Sequence, residues 1–146
     1  MQSIQHVRKT DLARNTRQVI NNVLRGQTAV VESHGQPEVA IMDIVDYRIT
    51  RAVMRYYRQQ PVIDVEQGLA DRRVTLASDA QDRYNLVLAH YLAGAISLGR
   101  AAELLDLPWL DLRNRFLRLD VPLRSVLTDL HEAKLDVEVA EAWARP

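Results

Sequence analysis

Five cations and several amides crowd the first 25 residues. Arg8, Lys9, Arg14, Arg17 and Arg25 face a single acid, Asp11, with Asn15, Gln18 and Asn21 set among them. Lysine and arginine neutralise phosphates, and Arg14, Asn15 or Gln18 has the donors and acceptors to reach base edges. Residue types at this density point to a polyanion partner, DNA foremost. A solvated helix face is the commoner fate of such residues, and the types alone leave both open.

Catalytic and metal chemistry find no comparable grouping. His6, His34, His90 and His131 are scattered and none stands at an HxxxH spacing. Asp64 and Glu66 form a carboxylate pair, but in a polar stretch such a pair reads as solvated. No GxxxxGK[ST] or GxGxxG loop is present, and Gly94 and Gly99 bracket a turn. The chain has no cysteine, which excludes disulfides and cysteine-zinc sites and suits a reducing compartment. The expectation is a protein that is not an enzyme, with no cofactor and no metal.

The 146 residues carry 19 basic and 19 acidic side chains, a formal net charge of zero, but unevenly placed. Residues 1–60 hold nine Lys/Arg against five Asp/Glu, and residues 61–146 hold ten against fourteen. Such asymmetry suggests that the halves meet different partners. A chain of this length builds one modest core or two small ones. The N-terminus lacks an apolar signal core, and no run approaches the ~18–20 apolar residues of a membrane span. A cytoplasmic protein with no membrane partner is expected.

Several elements must position the basic residues. Residues 3–7 alternate as a short strand would. Thr10 is the expected N-cap of one helix reaching Arg25, with Asp11 favourable against its dipole and Gly26 as its stop. Leu12, Thr16, Val19, Ile20, Val23 and Leu24 form its apolar stripe, opposite Arg14, Arg17, Gln18, Asn21 and Arg25. Ala29–Val31 and Val39–Met42 are apolar runs joined through Ser33, His34, Gly35, Gln36 and Pro37, a hairpin signal. Asp43 caps a helix carrying Val45, Ile49, Ala52, Val53, Tyr56 and Tyr57 inward and Arg48, Arg51, Arg55 and Arg58 outward. The order is β-α-β-β-α.

Pro61 ends that pattern, and residues 59–82 read as a linker with one extended or helical piece, Arg73–Leu76 as a strand for example. The rest is helical: residues 84–93, then a helix capped by Ser97 and running through Leu105. A turn at 106–108 leads to a helix over 109–119, an extended segment at 121–124, and a final acidic helix over 125–144. Helix, short turn, helix is the spacing of a helix-turn-helix unit. No repeat relates the halves. The fold class is α+β, a mixed N-terminal unit followed by a small all-α helix-turn-helix-like module.

Val7-Arg-Lys-Thr-Asp-Leu-Ala-Arg-Asn15, the helix ending Val23-Leu-Arg-Gly26, the hairpin from Val30 to Met42, and Asp46-Tyr47 together resemble the Phd/YefM antitoxin family over residues 1–58. That resemblance implies a homodimer with a composite sheet, built here with Val31, Val39 and Ile41. It also implies operator DNA held by the N-terminal strand and helix, repression of the chain's own operon, and a C-terminal segment that folds on a toxin. The residues it places towards DNA are Arg8, Lys9, Thr10, Arg14, Asn15 and Arg17, with His34 at the hairpin tip. Arg8 and Lys9 stand where family members often have small residues, and Ser33 where a basic one often occurs.

Tyr91 to Leu105, Asp106-Leu-Pro-Trp109, Phe116-Leu117 and Asp120-Val-Pro-Leu123 resemble a family of small uncharacterised prokaryotic proteins often encoded beside PIN-domain toxins. This likeness covers residues 83–140, where Phd/YefM members have a short disordered tail. It implies an antitoxin-like module.

The module's own residues permit two readings. Arg113, Arg115 and Arg118 along the later helix could make it a second DNA reader; alternatively its Leu, Ala and Trp109 simply form a core. Beyond it, Asp129, Glu132, Asp136, Glu138 and Glu141 alternate with Leu127, Leu130, Leu135, Val137, Val139, Ala140 and Trp143. An acidic amphipathic helix suits a basic groove such as an RNA nuclease offers.

The expected organisation is a DNA-binding and dimerisation unit over 1–58, a linker over 59–82 and a toxin-binding helical module over 83–146. Toxin contacts fall to Trp109, Leu127, Leu130, Leu135, Glu138, Val139, Glu141 and Trp143. The expected function is an antitoxin that neutralises its toxin, a PIN-type ribonuclease, by direct binding and represses its own operon as a dimer, with pairing of dimers left open. The alternatives are a stand-alone regulator using the C-terminal helix-turn-helix, and a scaffolding dimer whose arginines are merely solvated.

Overall fold

The computed structural model describes residues 3–123. Strand β1 (Ser3–Arg8) leads into helices α1 (Lys9–Arg14) and α2 (Thr16–Leu24), followed by β2 (Gln27–Ser33) and β3 (Gln36–Ile41). The sheet order is β1-β2-β3. β1 and β2 run parallel, from Ser3 opposite Gln27 to Arg8 opposite Glu32. Parallel neighbours need a crossover of a dozen residues or more, and α1 with α2 supplies it. β2 and β3 form the antiparallel hairpin, with a bulge between Val31 and Glu32. The tip is made by His34 and Gly35, both at positive φ.

The single helix expected from Thr10 is two helices, broken at Asn15 with φ −124° and ψ 37°. The Thr16 hydroxyl donates to the Leu12 carbonyl at 2.7 Å, a local bond that competes with the backbone ladder at the break. Nor is Thr10 the cap. The chain passes from β1 into α1 with Arg8 in the cap position and no side-chain cap bond. Val19 and Val23 are buried against Val7 and Ala29, with Leu12 and Ile41 at the margin. Ile20 and Leu24, expected on the same buried stripe, are 38% and 62% exposed. Three short strands cover one ridge of α2 and leave the next in solvent.

Helix α3 (Ile44–Gln59) starts where expected: the Asp43 carboxylate accepts from the backbone N–H groups of Val45 and Asp46 at 2.8 and 3.2 Å. Four helices follow, α4 (Asp71–Thr75), α5 (Ala80–Leu92), α6 (Leu98–Leu104) and α7 (Trp109–Arg118). The Arg73–Leu76 segment lies largely in α4, so the helical alternative and not the strand is formed there. α5 begins four residues before Tyr84 because Asp79 caps it, accepting from the N–H of Asp82 at 2.8 Å. Ser97 caps α6 as expected, through the N–H of Arg100.

The larger core joins both halves. Ile49 and Ala52 of α3 are buried with Val87, Leu88, Tyr91, Leu98, Leu112 and Phe116. The stretch 59–82 contributes Leu69 and Val74 to the same core. It is held from outside by Arg100, which donates to the Leu69 carbonyl at 3.1 Å and pairs with Asp71. Tyr91 packs on Phe116 at 5.2 Å between ring centroids and donates its hydroxyl to the Pro122 carbonyl. That bond ties the extended residues 121–123 back onto the core. No described helix is long and apolar enough to cross a membrane.

Candidate nucleic-acid interface

Parallel pairing decides which basic residues meet. Because Arg8 lies opposite Glu32, the end of β1 and the hairpin tip share one end of the sheet. Arg8, Lys9, Thr10 and His34 therefore gather there, all exposed. Lys9 reaches across to β3, with its Nζ 2.6 Å from Glu38 Oε2. Arg8 donates from Nε to Asp11 at 2.9 Å. Both pairs stand in solvent, where such bridges contribute only ~0–1 kcal/mol, so a phosphate can replace either acid at small cost.

Arg14, Asn15 and Arg17 bracket the break between α1 and α2, and all three are exposed. Among the described residues no acid pairs with Arg14, Arg17 or Arg25. A chain of amides missed by the sequence reading sets the helix on the sheet. Gln5 of β1 donates to the Val19 carbonyl at 3.0 Å and to that of Gln27 at 3.4 Å. Asn22 donates back to Gln5 at 3.3 Å, and Gln18 donates to Asn22 at 3.2 Å. Gln18, a base-edge candidate from its type, thus commits one amide N–H to its own helix and stays exposed. The available signal was a lone amide at an inward-alternating position of β1. On the opposite side of β1, His6 sits 2.8 Å from Glu32.

The helix-turn-helix arginines are a correction. Arg115 and Arg118 of α7, read as possible members of a second DNA reader, point inward to the start of α3. Arg115 donates from Nη1 to Asp43 Oδ1 at 2.8 Å and Asp46 Oδ1 at 2.7 Å, and from Nε to Asp111 Oδ2 at 2.9 Å. Arg118 donates from Nη2 to Asp46 Oδ2 at 2.6 Å. Burial alone would lower the pKa of Arg115, but the bonds to Asp111 and Asp46 and the charge of Asp43 raise it above the ordinary value. Neither guanidinium is presented to a duplex. Arg113 remains half-buried on the outer side of α7.

Trp109 opens α7 and is 44% exposed, with its indole edge over Gly99. Leu110 and Leu117 are exposed one face further round, seven residues apart on the same side of the helix. The other residues expected from the sequence to contact a toxin, Leu127, Leu130, Leu135, Glu138, Val139, Glu141 and Trp143, lie outside the described residues. Among the described residues no three His, Asp or Glu side chains come together in a group that could hold a metal ion. No family model, no curated protein and no solved structure matches the chain.

Proposed function

We propose that the chain is an operator-binding antitoxin: a homodimer that represses its own operon and binds a ribonuclease toxin through its C-terminal half. One observation carries the DNA part. Arg14, Asn15 and Arg17 stand exposed at the α1–α2 break, clear of acids, and the parallel β1–β2 pair brings Arg8, Lys9 and His34 to one end of the same unit. Phosphate contacts from Arg8, Lys9 and Thr10 would orient the unit, and Arg14, Asn15 and Arg17 would supply the base-edge contacts.

The dimer has apolar surface available. Val39 on the edge strand β3 is 55% exposed, and Ile20 and Leu24 lie bare on α2. The toxin part rests on the likeness to antitoxins, supported by the exposed Trp109, Leu110 and Leu117. Inhibition needs no chemistry, only an acidic and apolar surface seated in a basic nuclease groove. The inward turn of Arg115 and Arg118 counts against a stand-alone regulator reading DNA with α7.

Nuclease footprinting on DNA from upstream of the chain's own gene tests this reading. A two-fold dimer is expected to protect two inverted half-sites about one helical turn apart, or a multiple of that. Absence of protection at concentrations that saturate non-specific DNA would overturn it.

A further inference from the structure

Residues 47–63 contain four arginines and no acid. Arg48, Arg51, Arg55 and Arg58 recur at spacings of three, four and three, which aligns them along one ridge of α3. Arg51, Arg55 and Arg58 are exposed and Arg48 half-buried, and among the described residues no acid pairs with any of them. Neighbouring like charges on a helix repel, and no carboxylate on this ridge offsets them. The opposite side of α3 is fixed: Ile49 and Ala52 are in the core, and the Arg48 carbonyl accepts from Gln81 of α5 at 3.1 Å. The ridge is therefore a rigid row and cannot be turned inward.

An aromatic accompanies it. Arg51 donates to the Tyr47 hydroxyl at 3.0 Å and lies 5.8 Å from that ring's centroid, which holds its guanidinium in place. Tyr57 is also exposed and is met edge-on by Tyr56 at 5.3 Å, but the helical period sets it on a different face from the ridge. Arginines spaced along a backbone-length row, with the Tyr47 ring set against Arg51, form the pattern of a surface that follows a phosphodiester strand. From Arg48 to Arg58 the row rises about 15 Å, the axial length of roughly four nucleotides of one strand.

We infer that the Arg48–Arg51–Arg55–Arg58 ridge of α3 is a second nucleic-acid site, one that binds the phosphodiester backbone without reading bases. It is separate from the α1–α2 surface and does not depend on that surface reading an operator. It raises the affinity of the full chain for any nucleic acid and leaves sequence preference unchanged.

The test uses the full chain and an Arg51→Ala/Arg55→Ala/Arg58→Ala variant, with folding checked by circular dichroism. Fluorescence anisotropy is measured on a scrambled 20-base-pair duplex (about two helical turns) and on one of its strands, across a salt series. Losing three phosphate contacts should make the salt slope shallower by about two to three and lower affinity at low salt at least about tenfold. The larger loss on duplex or on single strand identifies which form the ridge takes. An Arg14→Ala/Arg17→Ala variant run in parallel should keep the full slope contribution of the ridge, so failure of one site is distinguishable from failure of the other. Unchanged slope and affinity in the α3 variant would overturn the inference. So would polyglutamate releasing the wild-type chain from the strand as effectively as unlabelled nucleic acid of equal charge, because the ridge would then be a site for acidic polypeptide.

Discussion

Asp46 is 2% exposed and is bonded to two arginines that lie 69 and 72 residues further along the chain. A buried carboxylate is tolerable only while its charge is matched, and Arg115 and Arg118 match it. Removing Asp46 takes charge-assisted bonds from both arginines while Arg115 keeps Asp43 and Asp111, at a cost of about 1.5–3 kcal/mol. Asp46→Ala is therefore expected to lower the unfolding free energy by that amount in a urea titration. A loss under about 1 kcal/mol would mean that solvent reaches the arginines. This group was not legible in the sequence. Asp43 is an ordinary N-cap and Asp46 an ordinary first-turn acid, and Arg113, Arg115 and Arg118 look alike in a row. Only the long-range ion pairs from α7 to the start of α3 separate the two inward arginines from the outer one. Asp43 and Ser97, by contrast, are legible as caps because their bonds reach only two or three residues ahead.

The helices and the hairpin were written in short-range signals, and their interruptions were not. Gly26 stops α2 as its position suggests, yet its importance comes from elsewhere. It has φ +99°, and a Cβ there would lie 2.8 Å from Nη1 of Arg118, whose guanidinium is held by Asp46. Gly26→Ala combines a left-handed backbone penalty of about 1–2 kcal/mol with displacement of a buried ion pair. The expected result is a loss of at least that size in thermal or urea unfolding. A neutral substitution would show that the α2–β2 turn moves freely past α7. The break at Asn15 escaped detection for a different reason. Thr16 continues the apolar pattern acceptably, and the competing hydroxyl bond to Leu12 depends on a rotamer that sequence periodicity does not encode. The break sets Arg14 and Arg17 on two separate helices, so their relative aim follows from the kink and not from helical spacing.

Across the whole molecule, α3 is the element both halves need. It follows the sheet in sequence, yet Ile49 and Ala52 are buried among α5, α6 and α7 residues, and Asp43 and Asp46 bind arginines of α7. Sequence order placed α3 with the strands, because periodicity reveals which face of a helix is apolar but not what covers it. A fragment of residues 1–60 would bare that face and strand two acids. Its helical circular dichroism signal is expected to fall short of that of its α1, α2 and α3 segments in the full chain, with α3 melted. A fully helical, cooperatively unfolding fragment would contradict the shared core. The consequence for function is that binding experiments belong on the full chain, in which the α1–α2 surface and α3 are both held.

Operator recognition is tested by fluorescence anisotropy of the full chain on DNA from upstream of its own gene, against a scrambled duplex over a salt series. Tighter binding to the upstream DNA, weakening steeply as salt rises, with the preference lost in Arg14→Ala/Arg17→Ala, is the result expected. Equal affinity for both duplexes, or a preference that survives those substitutions, would contradict an operator-reading surface at the α1–α2 break.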